Sequence, residues 1–396
     1  MLYDVYEAQN ALVAPFRAVA GATARRLSDL QADGTDFLPF RYFGAACELA
    51  SRAHLSHVRP PFDIENAREE VVYSTPFSSL LHFAKDAALP GPRVLVVAPL
   101  SGHFATLLRN TVRTLLADFD VYLTDWHNAR DVPLDEGRFG FDEYVDDTIR
   151  ALDHLGPRVH VIAVCQPAVP VLAALAVMAQ RGSVPPARSA TLMAGPIDTR
   201  INPTSVNDLA CSKPLSWFER NVISTVPWPH PGAGRRVYPG FLQVSAFLNM
   251  NLGRHVRSHY ELFFDLVNGD VLGAEAKKTF YDEYFSVLDL AAEFYLETVE
   301  KVFQQYQLAR GVLEYRGVLV DPGAIRRMSL LTVEGERDDI CSVGQTLAAH
   351  DLCTGVRTIR KRHHLQPGVG HYGVFSGRRW ETQIYPIVRN VIESSD

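Results

Sequence analysis

The sequence predicts an α/β protein: a mainly parallel sheet flanked by helices, with a mostly helical cap inserted before its last strands. Three observations predict this. First, five short, uninterrupted, β-rich runs end in turn residues. They are 93–98 before Pro99, 121–124 before Asp125, 159–164 before Cys165, 190–193 before Gly195-Pro196, and 329–333 before Glu334-Gly335. Second, helical patterns over 141–155 and 169–180 alternate with the early runs, and buried strands alternating with helices make a parallel sheet covered on both faces. Third, the alternation stops over 199–325, where aromatic residues crowd together.

Taken in order, residues 1–70 read as a helical extension. Val13, Phe16, Val19 and Ala20 recur at helical spacing, and Pro60-Pro61 with a polar run to Glu70 closes the segment. Residues 71–198 form the first part of the α/β core, beginning with a short strand at 71–73. Residues 199–325 form the cap. Its clearest helix carries Leu288, Ala291, Tyr295, Val299, Val302 and Tyr306 as an apolar stripe, with Glu297 placed to pair with Lys301 and Gly311 suited to its end. The cap aromatics are expected mainly to build its own core, with a few left to line a substrate cleft. Residues 326–396 complete the core.

Composition narrows the function. A net charge of −6 and a pI near 6.2 do not suggest a nucleic-acid binder, which would usually carry a basic face. The N-terminus lacks the cationic start and long apolar run of a signal peptide, and no stretch is apolar for the ~18 residues a membrane span needs. Five irregularly spaced cysteines, with no CxxC pair or Cys/His cluster, argue for free thiols in a reducing, cytoplasmic compartment. No metal or cofactor is expected.

Cys165 stands where chemistry belongs. It follows the third run at once, and Gln166-Pro167-Ala168 opens a helix, with Pro167 suited to a first turn. This strand–turn–helix is the nucleophile elbow of an α/β-hydrolase fold. The turn raises the side chain above the sheet and places the N–H of Gln166 to stabilise an oxyanion, while the helix N-terminus favours a thiolate. Ala163 and Pro167 replace the glycines of G-x-S-x-G, and a cysteine after a core strand is often a small buried hydrophobe. The partners raise its standing.

The fold's chain order is nucleophile, acid, histidine. Asp338 follows the fifth run in a G-x-x-D turn, with Asp339 a competitor one residue on; Asp198, after the fourth run, is an alternative better read as a cap or turn residue. His371, between glycines in Gly368-Val-Gly370-His371-Tyr-Gly373 and before a helical tail, is the candidate base. His363 and His364 are rivals inside the basic run 360–364, which reads as an exposed face. In this arrangement His371 takes the thiol proton, the acid orients the imidazole, and Cys165 forms an acyl-enzyme. A second oxyanion donor is expected from the loop Leu100-Ser-Gly-His103, with the N–H of Ser101 the candidate.

The segments 163–170, 124–131, 99–103, 332–340 and 370–377 together resemble the intracellular poly(3-hydroxybutyrate) depolymerases, over nearly the whole chain. The resemblance implies a cysteine nucleophile at Cys165, with Asp338 and His371 matching the acid and base by motif context. It implies action on amorphous polyester storage granules in the cytoplasm, releasing 3-hydroxybutyrate or oligomers. A cysteine thioester could also pass its acyl group to coenzyme A. A polyester synthase shares a cysteine and this fold, but glycines follow its nucleophile where Gln166-Pro167 stand here. A generic thioesterase or dienelactone-type hydrolase seldom needs so large a cap. A non-catalytic granule-binding scaffold would have no use for Cys165, Asp338 and His371 together.

Overall fold

The computed structural model describes residues 2–33, 37–85, 91–182, 186–250 and 252–396. Eight strands form the main sheet: β1 (Ala67–Ser74), β2 (Ser78–Lys85), β3 (Arg93–Val97), β4 (Asp120–Trp126), β5 (His160–Val164), β6 (Ser189–Met193), β7 (Ser329–Gly335) and β8 (Lys361–Gln366). Their spatial order is β1-β2-β4-β3-β5-β6-β7-β8. β2 runs antiparallel to both neighbours, and every pairing from β4 through to β8 is parallel. This is the α/β-hydrolase fold.

Burial follows from position. β5 and β6 are buried at every residue, as strands covered on both faces must be. Helix α4 (Ala168–Gln180) is apolar all round because it lies inside the core, whereas α3 (Phe141–Leu155) shows the usual one-sided burial of a covering helix. The chain passes from β3 to β4 on one side and then returns to β5 on the other. That reversal opens a crevice at the carboxyl ends of β3 and β5, where such sheets bind ligands.

Two strands escape the sequence reading. β2 opens on serines and carries His82 amid its apolar residues, and β8 is the basic run itself, Lys361-Arg-His-His-Leu-Gln366. The run is largely exposed as expected, but as an edge strand paired on one side to β7, where charge protects an open edge from further pairing. The cap helix drawn over 288–306 is also shorter. Leu290–Ala291 pair as a small strand, α-helix spans only Ala292–Thr298, and a π-helical turn covers Val299–Gln304. Glu297 does lie 3.8 Å from Lys301, but its carboxylate also accepts from the Phe141 N–H at 2.8 Å and pairs with Arg138.

Between β6 and β7 the chain runs mainly through helices: α5 (Ser205–Ser212), α6 (Leu215–Asn221), α7 (Gly240–Met250), α8 (Leu252–Asn268), α9 (Val271–Tyr284) and α10 (Ala292–Thr298). The N-terminal helices α1 (Leu2–Ala32) and α2 (Leu38–Arg52) pack on one another, and α2 packs on α8. α1 is tied down at its start, where the buried Tyr3 hydroxyl donates to Asp289 at 2.6 Å. Helix α11 (Tyr385–Glu393) closes the described chain against the sheet. Among the described residues no helix is long and apolar enough to cross a membrane.

Candidate active site

Cys165 leaves β5 with φ = +69°, a left-handed conformation rare for a residue with a Cβ. It is held there from several sides. Its N–H donates to the Met193 carbonyl at 2.7 Å, and its own carbonyl accepts from Ala168 at 3.1 Å. Pro167 takes φ = −58°, a value natural to proline, so no glycine is required at that position. The close packing is shifted to Gly195, where a Cβ would fall 2.1 Å from that of Ala168. Glycine after β6 thus fills the role that the usual motif gives to a residue of the elbow.

The sharp turn after β7 brings Asp338 and His371 together. His371 Nδ1 and Asp338 Oδ2 are 2.8 Å apart and both residues are buried. Asp338 is fixed through its other oxygen, which accepts from the N–H groups of Ile340 at 2.9 Å and Cys341 at 2.8 Å. Burial by itself would depress the His371 imidazole, but Asp338 and Cys165, each by charge and by a side-chain hydrogen bond, hold it well above its ordinary value. The imidazole is thus bonded to the carboxylate, and it lines the same cavity as Cys165.

The competing residues lie elsewhere. Asp339 is exposed. Asp198 is held by Arg200, whose Nε and Nη2 donate to it at 2.8 and 2.7 Å. His363 on β8 bonds Thr332 of the neighbouring β7 at 3.0 Å, and His364 bonds Gln366 within β8 at 2.9 Å.

The acid turn has a support that the sequence reading passed over. Glu334, fully buried in β7, accepts from the N–H groups of Gly344, Thr346 and Leu347 at 2.8, 2.7 and 2.9 Å. The Thr346 hydroxyl then bonds both the N–H and the carbonyl of Gly195, at 2.8 and 3.0 Å. Glu334, Thr346 and Gly195 thereby connect the acid loop to the elbow. The signal was a glutamate at the end of an apolar strand, a residue that is rarely buried without partners.

Beside these residues lies a cavity of about 530 Å³, lined by Cys165, Gln166, Ser101 and His371 and by residues between β6 and β7 including Phe247 and Tyr295. Among the described residues the N–H groups of Gln166 and Ser101 donate to no protein acceptor. The loop of Ser101 is braced by its neighbours. Leu100 N–H donates to Gln166 Oε1 at 3.3 Å, the Gln243 amide bonds the Ser101 carbonyl, and Leu288 N–H donates to the Gly102 carbonyl at 2.9 Å. Gly102 has φ = +94°, and a Cβ there would lie 2.6 Å from the Gln243 side chain, so only glycine fits. His103, fully buried against Phe247 and Tyr284, is pushed down to about 4 by burial and stays neutral. Among the described residues no cluster of His, Cys, Asp or Glu could hold a metal ion.

Comparison with curated proteins gives no match. Among solved structures the chain is similar to a monoacylglycerol lipase of Paleococcus ferrophilus, at 12% identity over 78% of this chain and 98% of that one, with a TM-score of 0.45. It is also similar to the 2-hydroxy-6-oxo-6-phenylhexa-2,4-dienoate hydrolase of Rhodococcus sp. strain RHA1, at 11% identity over 83% and 99%, with a TM-score of 0.43. Residues 194–396, just over half of the chain, match the family described as PHB de-polymerase C-terminus, a span that includes Asp338 and His371 and begins after Cys165. The chain is an α/β-hydrolase that belongs to the PHB depolymerase family.

Proposed function

We propose that this protein hydrolyses poly(3-hydroxybutyrate) through a Cys165–His371–Asp338 triad, acting on polyester storage granules in the cytoplasm. The observation that carries the reading is the His371 imidazole held between Asp338 and Cys165 at the floor of an apolar cavity. His371 Nδ1–H donates to Asp338, which leaves Nε2 to take the Cys165 thiol proton. The thiolate, at the N-terminus of α4, attacks an ester carbonyl. The N–H groups of Gln166 and Ser101 receive the developing oxyanion. His371 returns the proton to the departing hydroxyl end of the polymer, and water, deprotonated by the same imidazole, cleaves the thioester.

The apolar lining suits an uncharged chain of methyl-branched esters. Large apolar side chains also lie exposed on the outside, among them Phe16 and Val19 on α1, Val256 and Tyr260 on α8, and Leu272 on α9. Exposed apolar surface of this kind suits contact with an amorphous polymer.

The test is incubation of the protein and its Cys165→Ala variant with native amorphous granules, with and without coenzyme A, and identification of soluble products by mass. Release of 3-hydroxybutyrate or its oligomers by the wild type alone is the expected result. Acyl-coenzyme A as the main product would replace water by a thiol as acceptor. Equal release by the variant would remove Cys165 from its role.

A further inference from the structure

At the amino ends of the same strands, on the opposite edge of the sheet from Cys165, lies a second cavity of about 300 Å³. Arg188, Arg327, Arg360 and Arg362 line it, together with the hydroxyl-bearing Ser329, Ser394 and Ser395. No carboxylate lines it, and among the described residues none of the four arginines forms a salt bridge. This is unusual in a chain with a net charge of −6, where most guanidinium groups have carboxylates to choose from.

The cluster is built into the fold. Arg188 is locked just before β6: its N–H donates to the Val159 carbonyl at 2.8 Å and its carbonyl accepts from Ser329 at 3.0 Å. Its Nε is buried without a hydrogen-bond partner, a position that costs free energy unless something else completes it. Arg362 is aimed by Asn390 of α11, which accepts from it at 2.6 Å. Asp396, on the same edge, lies 3.5 Å from Arg158. The carboxyl end of α11 contributes a partial negative charge of roughly one half, which cannot offset four cations.

We propose that this cavity is a binding site for a small di- or triphosphate anion. Guanidinium forks match phosphate oxygens two at a time, and four arginines lining one cavity with no carboxylate among them call for several negative charges on one compact molecule. The volume exceeds the needs of a lone phosphate. The site is separate from the depolymerase site, and its test does not depend on that activity.

The test is isothermal titration of the full chain with inorganic pyrophosphate and tripolyphosphate at moderate salt, against sulfate at matched ionic strength. The comparison proteins are Arg360→Gln/Arg362→Gln, whose side chains are exposed, and Arg378→Gln as a control outside the cavity. Saturable one-to-one binding, preferred over sulfate and weakened at least about tenfold in the double variant but not in the control, is expected. Melting curves without ligand establish that the double variant is folded. Three results would overturn the proposal: no saturable binding, equal affinity in the double variant, or binding confined to phosphatidylglycerol vesicles or heparin.

Discussion

At the scale of single residues, the site depends on positions that tolerate little change. His371 is bonded to Asp338 and shares a cavity with Cys165, so its loss is expected to slow alkylation of Cys165 at neutral pH by at least about tenfold, because no base remains beside it to take the thiol proton. Measured iodoacetamide labelling rates of wild type and His371→Ala, with Cys165 followed by peptide mass, check this; equal rates would mean that the thiol is not activated by the imidazole. Gly195 is the second sensitive position. Its replacement by alanine forces a methyl against Ala168 and is expected to cost about 1–3 kcal/mol of stability. It should also lower ester hydrolysis by more than the stability loss explains, since the displaced segment is the elbow itself. Denaturant titration and hydrolysis of a short soluble ester would separate the two effects.

Among the elements, β7 organises most of the site: Glu334 closes it, Asp338 follows it, and Thr346 reaches back to the elbow. Glu334→Gln places an amide –NH2 where one carboxylate oxygen now accepts, leaving a buried N–H unpaired at a cost of about 1–3 kcal/mol. The expected outcome is a fall in kcat with little change in KM, because the acid loop loosens while the cavity keeps its lining. A change in KM alone would count against this role. The elements that could be read from the sequence were those whose pattern is set by burial. The runs that became β3, β5 and β6 are apolar because both of their faces are covered, and the order of Cys165, Asp338 and His371 follows from the fold. β8 could not be read this way, since a basic edge strand is defined by its partner and not by its composition. Glu334 was hidden for a related reason: its partners are backbone N–H groups more than nine residues away, which leave no mark in side-chain spacing.

For the whole molecule, buried ionisable groups shape the response to pH. Burial raises Asp289 to about 6, against the opposing bonds from Tyr3 and Gly240, and raises Asp125 to about 6. Each binds its proton more tightly folded than unfolded, so each contributes a loss of stability as pH rises from about 4 to 6. His57, at about 3, and His103 and His160, at about 4, are depressed by burial and act in the opposite sense, losing stability as pH falls below about 6.5. Asp289→Asn removes one contribution of the first kind. The melting temperature of the variant relative to wild type is expected to move upward between pH 4 and pH 7, the full effect being on the order of 3 kcal/mol; a constant difference would mean that Asp289 titrates normally. The exposed apolar side chains make a separate demand. Replacing Val256 and Tyr260 on α8 by serine should reduce sedimentation with polyester granules and leave hydrolysis of a short soluble ester unchanged.

The left-handed backbone at Cys165 has a consequence for how such a sequence can drift. A side chain at φ = +69° costs about 1–3 kcal/mol, which glycine would avoid. Glycine's greater freedom in the unfolded chain returns part of that, so Cys165→Gly should fold at least about as well as the native protein while being inert. Stability alone gives no reason to keep the cysteine. Under the proposed function, the thiol at this position serves the reaction at the expense of ease of folding.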